Sequence, residues 1–344
     1  MNLKSTKNRF LNSALGRTIT TAAAGLSVAA IVGSTAVLPA AAAPTPGTLV
    51  ASGITSPAGL LWLDGSLGGH FWVADHVAGL CRVDGPLGSA TLTHCDTTVK
   101  AVGEPAYDPV SHSVYVPDLS AKSQGVWRLT FNPTTETMSV AGGVFTGGGP
   151  VLLAPTKGLG GNKPFAVATD PNDNFALYIG FKKTPNILRI RNASVGTGDD
   201  PVTIGNSSDG REVLGMTILN HNGVSALIEA DGRGVAAITN PAACGSPLPT
   251  CGATSLRLVT IPAPLTVSSA AVGKGVENSV AYIGDAANVY AYDAVAGKLS
   301  TVSTGLANAS AIGVRLNGAA PTIWAGDDPT AGAVTGAGHL YQLQ

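Results

Sequence analysis

Trp72-Val73-Ala74-Asp75 ends an apolar run, and the same short form returns down the chain. It reappears as Tyr115-Val116-Pro117-Asp118, as a degenerate Tyr178-Ile179-Gly180-Phe181, and then as Ile228-Glu229-Ala230-Asp231, Tyr282-Ile283-Gly284-Asp285 and Trp324-Ala325-Gly326-Asp327. The copies end at positions 75, 118, 181, 231, 285 and 327, so the intervals are 43, 63, 50, 54 and 42 residues. That spacing accommodates four short strands per unit with loops of variable length, the unit of a β-propeller.

Each copy has matching surroundings. Upstream lies a run of small apolar residues: Pro57-Ala58-Gly59-Leu60-Leu61, Pro105-Ala106-Tyr107, Pro164-Phe165-Ala166-Val167-Ala168, Leu214-Gly215-Met216-Thr217-Ile218, Ala270-Ala271-Val272 and Ala311-Ile312-Gly313-Val314. Small side chains suit the innermost strand of a blade, where the units converge. Downstream, runs such as Gly125-Val126-Trp127-Arg128-Leu129 alternate apolar and polar residues, the pattern of a half-buried strand. The expectation is an all-β, six-bladed propeller. The last unit stops at a third strand, His339-Leu340-Tyr341-Gln342-Leu343, while Thr48-Leu49-Val50-Ala51 is spare at the other end. The N-terminal strand is therefore expected to complete the last blade and close the ring, removing unpaired sheet edges.

Composition agrees with many short strands and tight turns. Charged residues are 12% of the 344, with 44 Gly and 22 Pro, and the hydrophobic share of 44% can build a core. Residues 1–43 have a different logic. Lys4, Lys7, Arg9 and Arg17 precede an apolar run from about Thr21 to Leu38, and Ala40-Ala41-Ala42-Ala43 supplies small residues for cleavage, the order of a secretory signal peptide. The domain reading is thus a signal peptide over 1–43 and a single propeller over 44–344, secreted or periplasmic, with no stable membrane insertion after cleavage. Removing that segment takes away four of 20 basic residues and none of 21 acidic ones, leaving 16 − 21 = −5. A mildly acidic chain without a basic run is a poor partner for nucleic acid.

Four cysteines remain: Cys81, Cys95, Cys244 and Cys251. An even count in an exported chain favours disulfides; three connectivities exist, and proximity favours Cys81–Cys95 and Cys244–Cys251. No Cys-x-x-Cys supports zinc.

The Tyr/Trp-Val-Ala-Asp strand end resembles the repeats of NHL and SMP-30/gluconolactonase-type propellers over about residues 48–344. The resemblance implies that the turn after each second strand and the segment before each first strand share one face. Asp75, Asp118, Asp231, Asp285 and Asp327 would then ring that face as ligand-binding residues, with Glu104, Glu212 and His76 near them as catalytic candidates. Enzymes of the SMP-30 type hold one metal with a few such groups. Glu104, just before Pro105, is similar to their Glu-before-strand position, which implies a divalent cation such as Ca²⁺ held by Glu104, Asp231 and Asp285.

A blander account of the repeated aspartates stands beside that one. Asp at a strand end readily accepts hydrogen bonds from the backbone of the next turn, and a residue repeated in nearly every blade suits blade maintenance. Asp170-Pro171-Asn172-Asp173-Asn174 imitates the start of a calcium loop but lacks its later ligands and reads as a hairpin turn. His112 and His221 fall in turns, and His339 could reach the functional face. The glycines at 147–149 and 158–161 have no Lys-Ser/Thr ending, so they read as an insertion within the longest interval rather than a phosphate loop. No Gly-x-Ser-x-Gly elbow occurs. The functional expectation is a non-catalytic propeller that binds a small molecule or protein on the aspartate face; the alternative is a calcium-dependent hydrolase or lactonase.

Overall fold

A computed structural model describes residues 46–343, apart from 98, 100–101, 121–124, 139–150, 156–162, 196–198, 200–201, 207–211, 244–252, 255, 262, 271–275, 318–319 and 331–334. The signal-peptide segment, Cys244, Cys251 and the glycine-rich insertion lie outside the described residues.

Six sheets make six blades, antiparallel throughout except that the two-residue strand Ala253–Thr254 adds parallel to the outer edge of blade 3. Blade 1 runs Pro57–Leu63, His70–Asp75, Gly79–Asp84 and Thr91–Asp96 from the axis outward. Blade 2 begins with the short Ala106–Asp108 and continues with Ser113–Asp118, Gly125–Asn132 and Val151–Pro155. Blade 3 comprises Pro164–Asp170, Ala176–Phe181, Asn186–Ile190 and Val202–Asn206; blade 4 comprises Gly215–His221, Val224–Ala230, Gly234–Thr239 and Leu256–Thr260. Blade 5 comprises Thr266–Ser268, Val280–Gly284, Asn288–Asp293 and Lys298–Thr304. Blade 6 comprises Ala309–Asn317, Ala320–Asp327 and Gly338–Gln342, and Thr48–Ile54 pairs antiparallel with the last of these, Thr48 opposite Gln342 and Ile54 opposite Gly338.

The six first strands form an unbroken cycle about the axis, each lying against the next, with blade 6 against blade 1. Their small residues have a steric cause. A Cβ on Gly215 would sit 2.5 Å from the backbone nitrogen of Val267 in the next blade, and one on Gly103 would sit 2.0 Å from the carbonyl oxygen of Phe165. In five blades the first strand falls where the apolar runs place it. In blade 5 it is Thr266–Ser268, while Ala271 and Val272 of the run expected there lie outside the described residues. Register places Thr266–Ser268: Thr266 pairs with Gly284, immediately before the strand-end Asp285, and Thr266 and Val267 abut Gly215.

Apolar side chains fill the spaces between blades. Trp72, Val114, Leu129 and Phe131 bridge blades 1 and 2; Leu60, Val73, Ala311 and Leu340 join blades 1 and 6 together with Val50, Ala51 and Ile54 of the N-terminal strand. Cys81 and Cys95 form a disulfide between the third strand and the fourth strand of blade 1.

Candidate functional site

The strand-end aspartates are spent on backbone. Asp75, fully buried, accepts four N–H groups: Oδ2 takes Thr55 (2.7 Å) and Ser56 (3.1 Å), which lead into the first strand, and Oδ1 takes Val77 and Ala78 (both 2.8 Å) in the following turn. Asp327 repeats half of this pattern with Ala307 (3.0 Å) and Asn308 (2.7 Å). Asp118 accepts from the Ser120 N–H, and Asp285 from the Ala287 and Asn288 N–H groups and the Tyr290 hydroxyl. Asp231 accepts the Arg233 N–H and a forked pair of bonds from Arg257, at 2.8 and 2.6 Å, on the outer strand of its own blade. An ionised carboxylate satisfied by several N–H donors is a strong local clamp. Here it fixes the turn after the second strand and, in blades 1 and 6, ties it to the entry of the first.

The sign of the aspartate face follows from this. All five acids are buried, whereas Lys182, Lys183 and Arg233 in the same set of turns are exposed, as is Val77. The surface offered to solvent by the described turns is therefore weighted towards cations, the reverse of an acidic ring. His76 is half-buried in the first turn; burial holds its imidazole below the ordinary value, and the charge of Lys182 pushes the same way against Asp75 and Asp328. Glu212 lies just before the first strand of blade 4 and is half-buried.

Glu104 departs from the aspartate pattern. It precedes the first strand of blade 2, and its backbone pairs with blade 3, the Glu104 N–H donating to Phe165 O at 2.8 Å. Its side chain is buried and crosses the axis. Oε2 accepts the backbone N–H of Met216 in blade 4 at 2.9 Å, and Oε1 accepts the Thr266 hydroxyl of blade 5 at 3.0 Å. Burial drives the carboxyl from 4.5 up to about 8 even though both bonds oppose that shift. Thr266 occupies the last ladder rung before Asp285 and Met216 the second-to-last before Asp231, so Glu104 seals the axis at the aspartate end. Beyond it, a cavity of about 90 Å³ is lined by Leu61, Tyr107, Thr169, Thr217, Ser269 and Val314, among others. Thr217 and Ser269 share a hydrogen bond of 2.6 Å there. A space of that volume takes a few water molecules and falls below the usual size of an organic-ligand pocket.

The three residues expected to hold calcium thus direct their oxygens to separate partners: Glu104 to Met216 and Thr266, Asp231 to Arg257, Asp285 to its own turn. Among the described residues no three His, Cys, Asp or Glu side chains gather as metal ligands. The Asp170–Asn174 stretch is a single 3-10 turn: Asp170 caps it by accepting the Asn172 N–H and also takes the Ser225 hydroxyl of blade 4, while Asp173 pairs with Arg189. His112 bonds the Tyr107 hydroxyl at 3.0 Å, His221 faces Glu277 at 3.0 Å, and His339 sits in the last strand opposite Asp327.

One polar cluster escaped the sequence reading. At the end of blade 1 away from the aspartates, His70 lies between two carboxylates, Nδ1 against Glu136 of blade 2 and Nε2 3.2 Å from Asp84. Arg82 binds Asp84 at 2.9 Å and the Glu136 carbonyl at 2.9 Å, and Glu136 also accepts the Leu67 and Gly69 N–H groups. Thr93 and Arg82 hold the Asp84 carboxyl below its ordinary value against the opposing effect of burial. Nothing local in the sequence signals this set, because its members come from positions 70 to 136 on two blades.

No family model matches the chain, and no curated protein matches it. Solved structures do share its fold. The PQQ-bound aldose sugar dehydrogenase from Streptomyces coelicolor is 17% identical, with 87% of this chain and 99% of that one covered and a TM-score of 0.58. A luciferin-regenerating enzyme is 10% identical over 85% of this chain and 92% of its own, with a TM-score of 0.56. An auxiliary nutrient binding protein from Bacteroides thetaiotaomicron is 10% identical over 87% and 76%, with a TM-score of 0.53. These similarities bear on the fold alone. The chain is a six-bladed β-propeller, an architecture that carries enzymes and binding proteins alike.

Proposed function

We propose that this chain is an exported propeller, processed near residue 43, that binds an acidic small molecule or partner protein through the turns following its second strands and performs no catalysis. The observation that carries this reading is the pairing of buried, N–H-saturated aspartates with exposed Lys182, Lys183 and Arg233 in the same turns. The aspartates make the platform rigid, which lowers the entropy lost on binding, and the cations favour a negatively charged ligand. The Cys81–Cys95 disulfide supports an oxidising compartment, and no helix among the described residues is long and apolar enough to cross a membrane. The Thr48–Ile54 strand is the element we assign to ring closure.

The test has two readouts on the mature chain. Thermal unfolding with calcium and with chelator is expected to coincide, because Glu104, Asp231 and Asp285 already have partners. A calcium-dependent rise in Tm that disappears in Glu104→Gln would replace this reading with the metal-dependent hydrolase. Reversing the face charge with Lys182→Glu and Arg233→Glu should abolish retention on an anionic polymer such as heparin; unchanged retention counts against the face.

A further inference from the structure

Aromatic residues are scarce in this chain, with 4 Trp and 7 Phe among 344 residues. Two of those tryptophans, Trp62 and Trp324, both half-buried, line one groove at the seam between blade 6 and blade 1, on the side away from the aspartate turns. Phe71 stands between them: its ring stacks on Trp324 at 4.2 Å and 21°, and meets Trp62 edge-on at 5.0 Å and 70°. Arg315 lies over Trp62, its guanidinium carbon 4.0 Å from the ring centroid. The groove they line holds about 330 Å³ and includes His70, Thr322 and Gln342 on its walls.

The charges in this groove are unevenly committed. His70 faces Asp84 and Glu136, and Arg82 faces Asp84, so those acids have partners. Arg315 has no carboxylate within ion-pair distance among the described residues. Stacking on Trp62 removes freedom from its side chain and leaves the edge of the planar fork to meet an anion in bidentate fashion. A half-buried aromatic step beside a pre-set guanidinium suits a ligand with one flat apolar face and a carboxylate at its rim. The amide of Gln342 and the hydroxyl of Thr322 add hydrogen-bonding groups that an aromatic acid would leave unpaired and that ring hydroxyls would satisfy.

We propose that this seam groove is a binding site for a carboxylated pyranose, a hexuronic acid unit of an acidic polysaccharide. The C–H face of the sugar packs on the half-buried Trp324 and Trp62, which the buried Phe71 holds in place, its carboxylate takes the Arg315 fork, and its hydroxyls reach Gln342 and Thr322. The volume admits one or two such rings. This site is separate from the aspartate face and stands whether or not that face binds anything.

Isothermal titration of the mature chain with trigalacturonate tests it. Saturable binding is expected, weakening as salt rises. Arg315→Gln should weaken it by about 10- to 100-fold, the usual worth of a charge-assisted bidentate contact, with Arg315→Lys between. Trp324→Ala should remove it; because that change also strips a packed ring, Trp324→Phe is the paired variant and should retain it. The control Lys298→Glu, exposed on the outer strand of blade 5 and part of neither site, should leave it unchanged. The inference is overturned if trigalacturonate gives no saturable heat, if neutral maltotriose binds as well, if indole-3-acetate binds while the uronate does not, or if Arg315→Gln is silent. Loss in Arg233→Glu with none in Arg315→Gln would move the uronate to the aspartate face, ending this inference while leaving the other reading in place.

Discussion

Glu104 of blade 2 accepts the backbone N–H of Met216 in blade 4 at 2.9 Å, reaching past blade 3 to close the axis of the ring. With Thr266 on its other oxygen, one carboxyl joins three blades whose residues are 112 and 162 positions apart from it. A group so enclosed is more easily kept neutral than charged.

Stability should therefore fall as pH rises. Glu104 titrates at about 8 when folded, against 4.5 when exposed, so between those values the native state holds a proton that the unfolded chain has released. The stabilisation is complete below pH 4.5, is lost progressively towards pH 8, and amounts to at most a few kcal/mol. Glu104→Gln, which has no proton to lose, should flatten this part of the profile and be the more stable form at pH 8.5. Urea midpoints of the two proteins across that range are the measurement; parallel profiles would contradict the assignment.

Asp75→Ala should be among the costlier single changes on the aspartate face. It strands four N–H donors, those of buried Thr55 and Ser56, half-buried Ala78 and exposed Val77, and a loss of roughly 2–4 kcal/mol is expected. Asp75→Asn keeps one acceptor oxygen and should lose less. Denaturant unfolding compares the two; equal midpoints would show that the carboxylate charge contributes nothing.

Removing residues up to Ile54 should destabilise the ring and promote self-association. The deletion takes Val50, Ala51 and Ile54 from the core beside Leu340 and leaves Gly338–Gln342 as an open edge. Apolar burial alone puts the loss at about 4–6 kcal/mol, and an unpaired edge strand invites strand addition from another molecule. A truncated protein with unchanged Tm and monomeric light scattering would remove the closing role from this strand.

Opening the Cys81–Cys95 bridge should lower stability without changing the fold. The bond spans 14 residues, and chain entropy alone assigns it roughly 3 kcal/mol. Paired replacement by Ala, compared with the parent by calorimetry, gives the figure directly; no change in Tm would mean the unfolded chain is constrained by other means.

The blades were legible because strand alternation and the Asp-terminated second strand are local patterns, repeated six times with only the Phe181 copy degenerate. The first strand of blade 5 shows where local pattern stops. Thr266–Ser268 is only three residues long and polar at both ends, and its identity comes from pairing with Val280–Gly284 and packing on Gly215. Among the site residues, the turn-clamping role of the repeated aspartates was readable from strand-end chemistry. Their burial, and with it the cationic sign of the face, was not.

By itself the sequence determined a repeating all-β chain with small residues on each innermost strand, since those features depend on neighbours within a few positions. Only the tertiary structure decided that Glu104 spans the axis, that His70 lies between Asp84 and Glu136, and that Trp62 and Trp324 share a seam with Arg315. The physical reason is that burial and charge pairing act through space. Closing the ring brings blade 6 against blade 1, so positions 62 and 324 become neighbours although nearly the whole propeller lies between them in the chain.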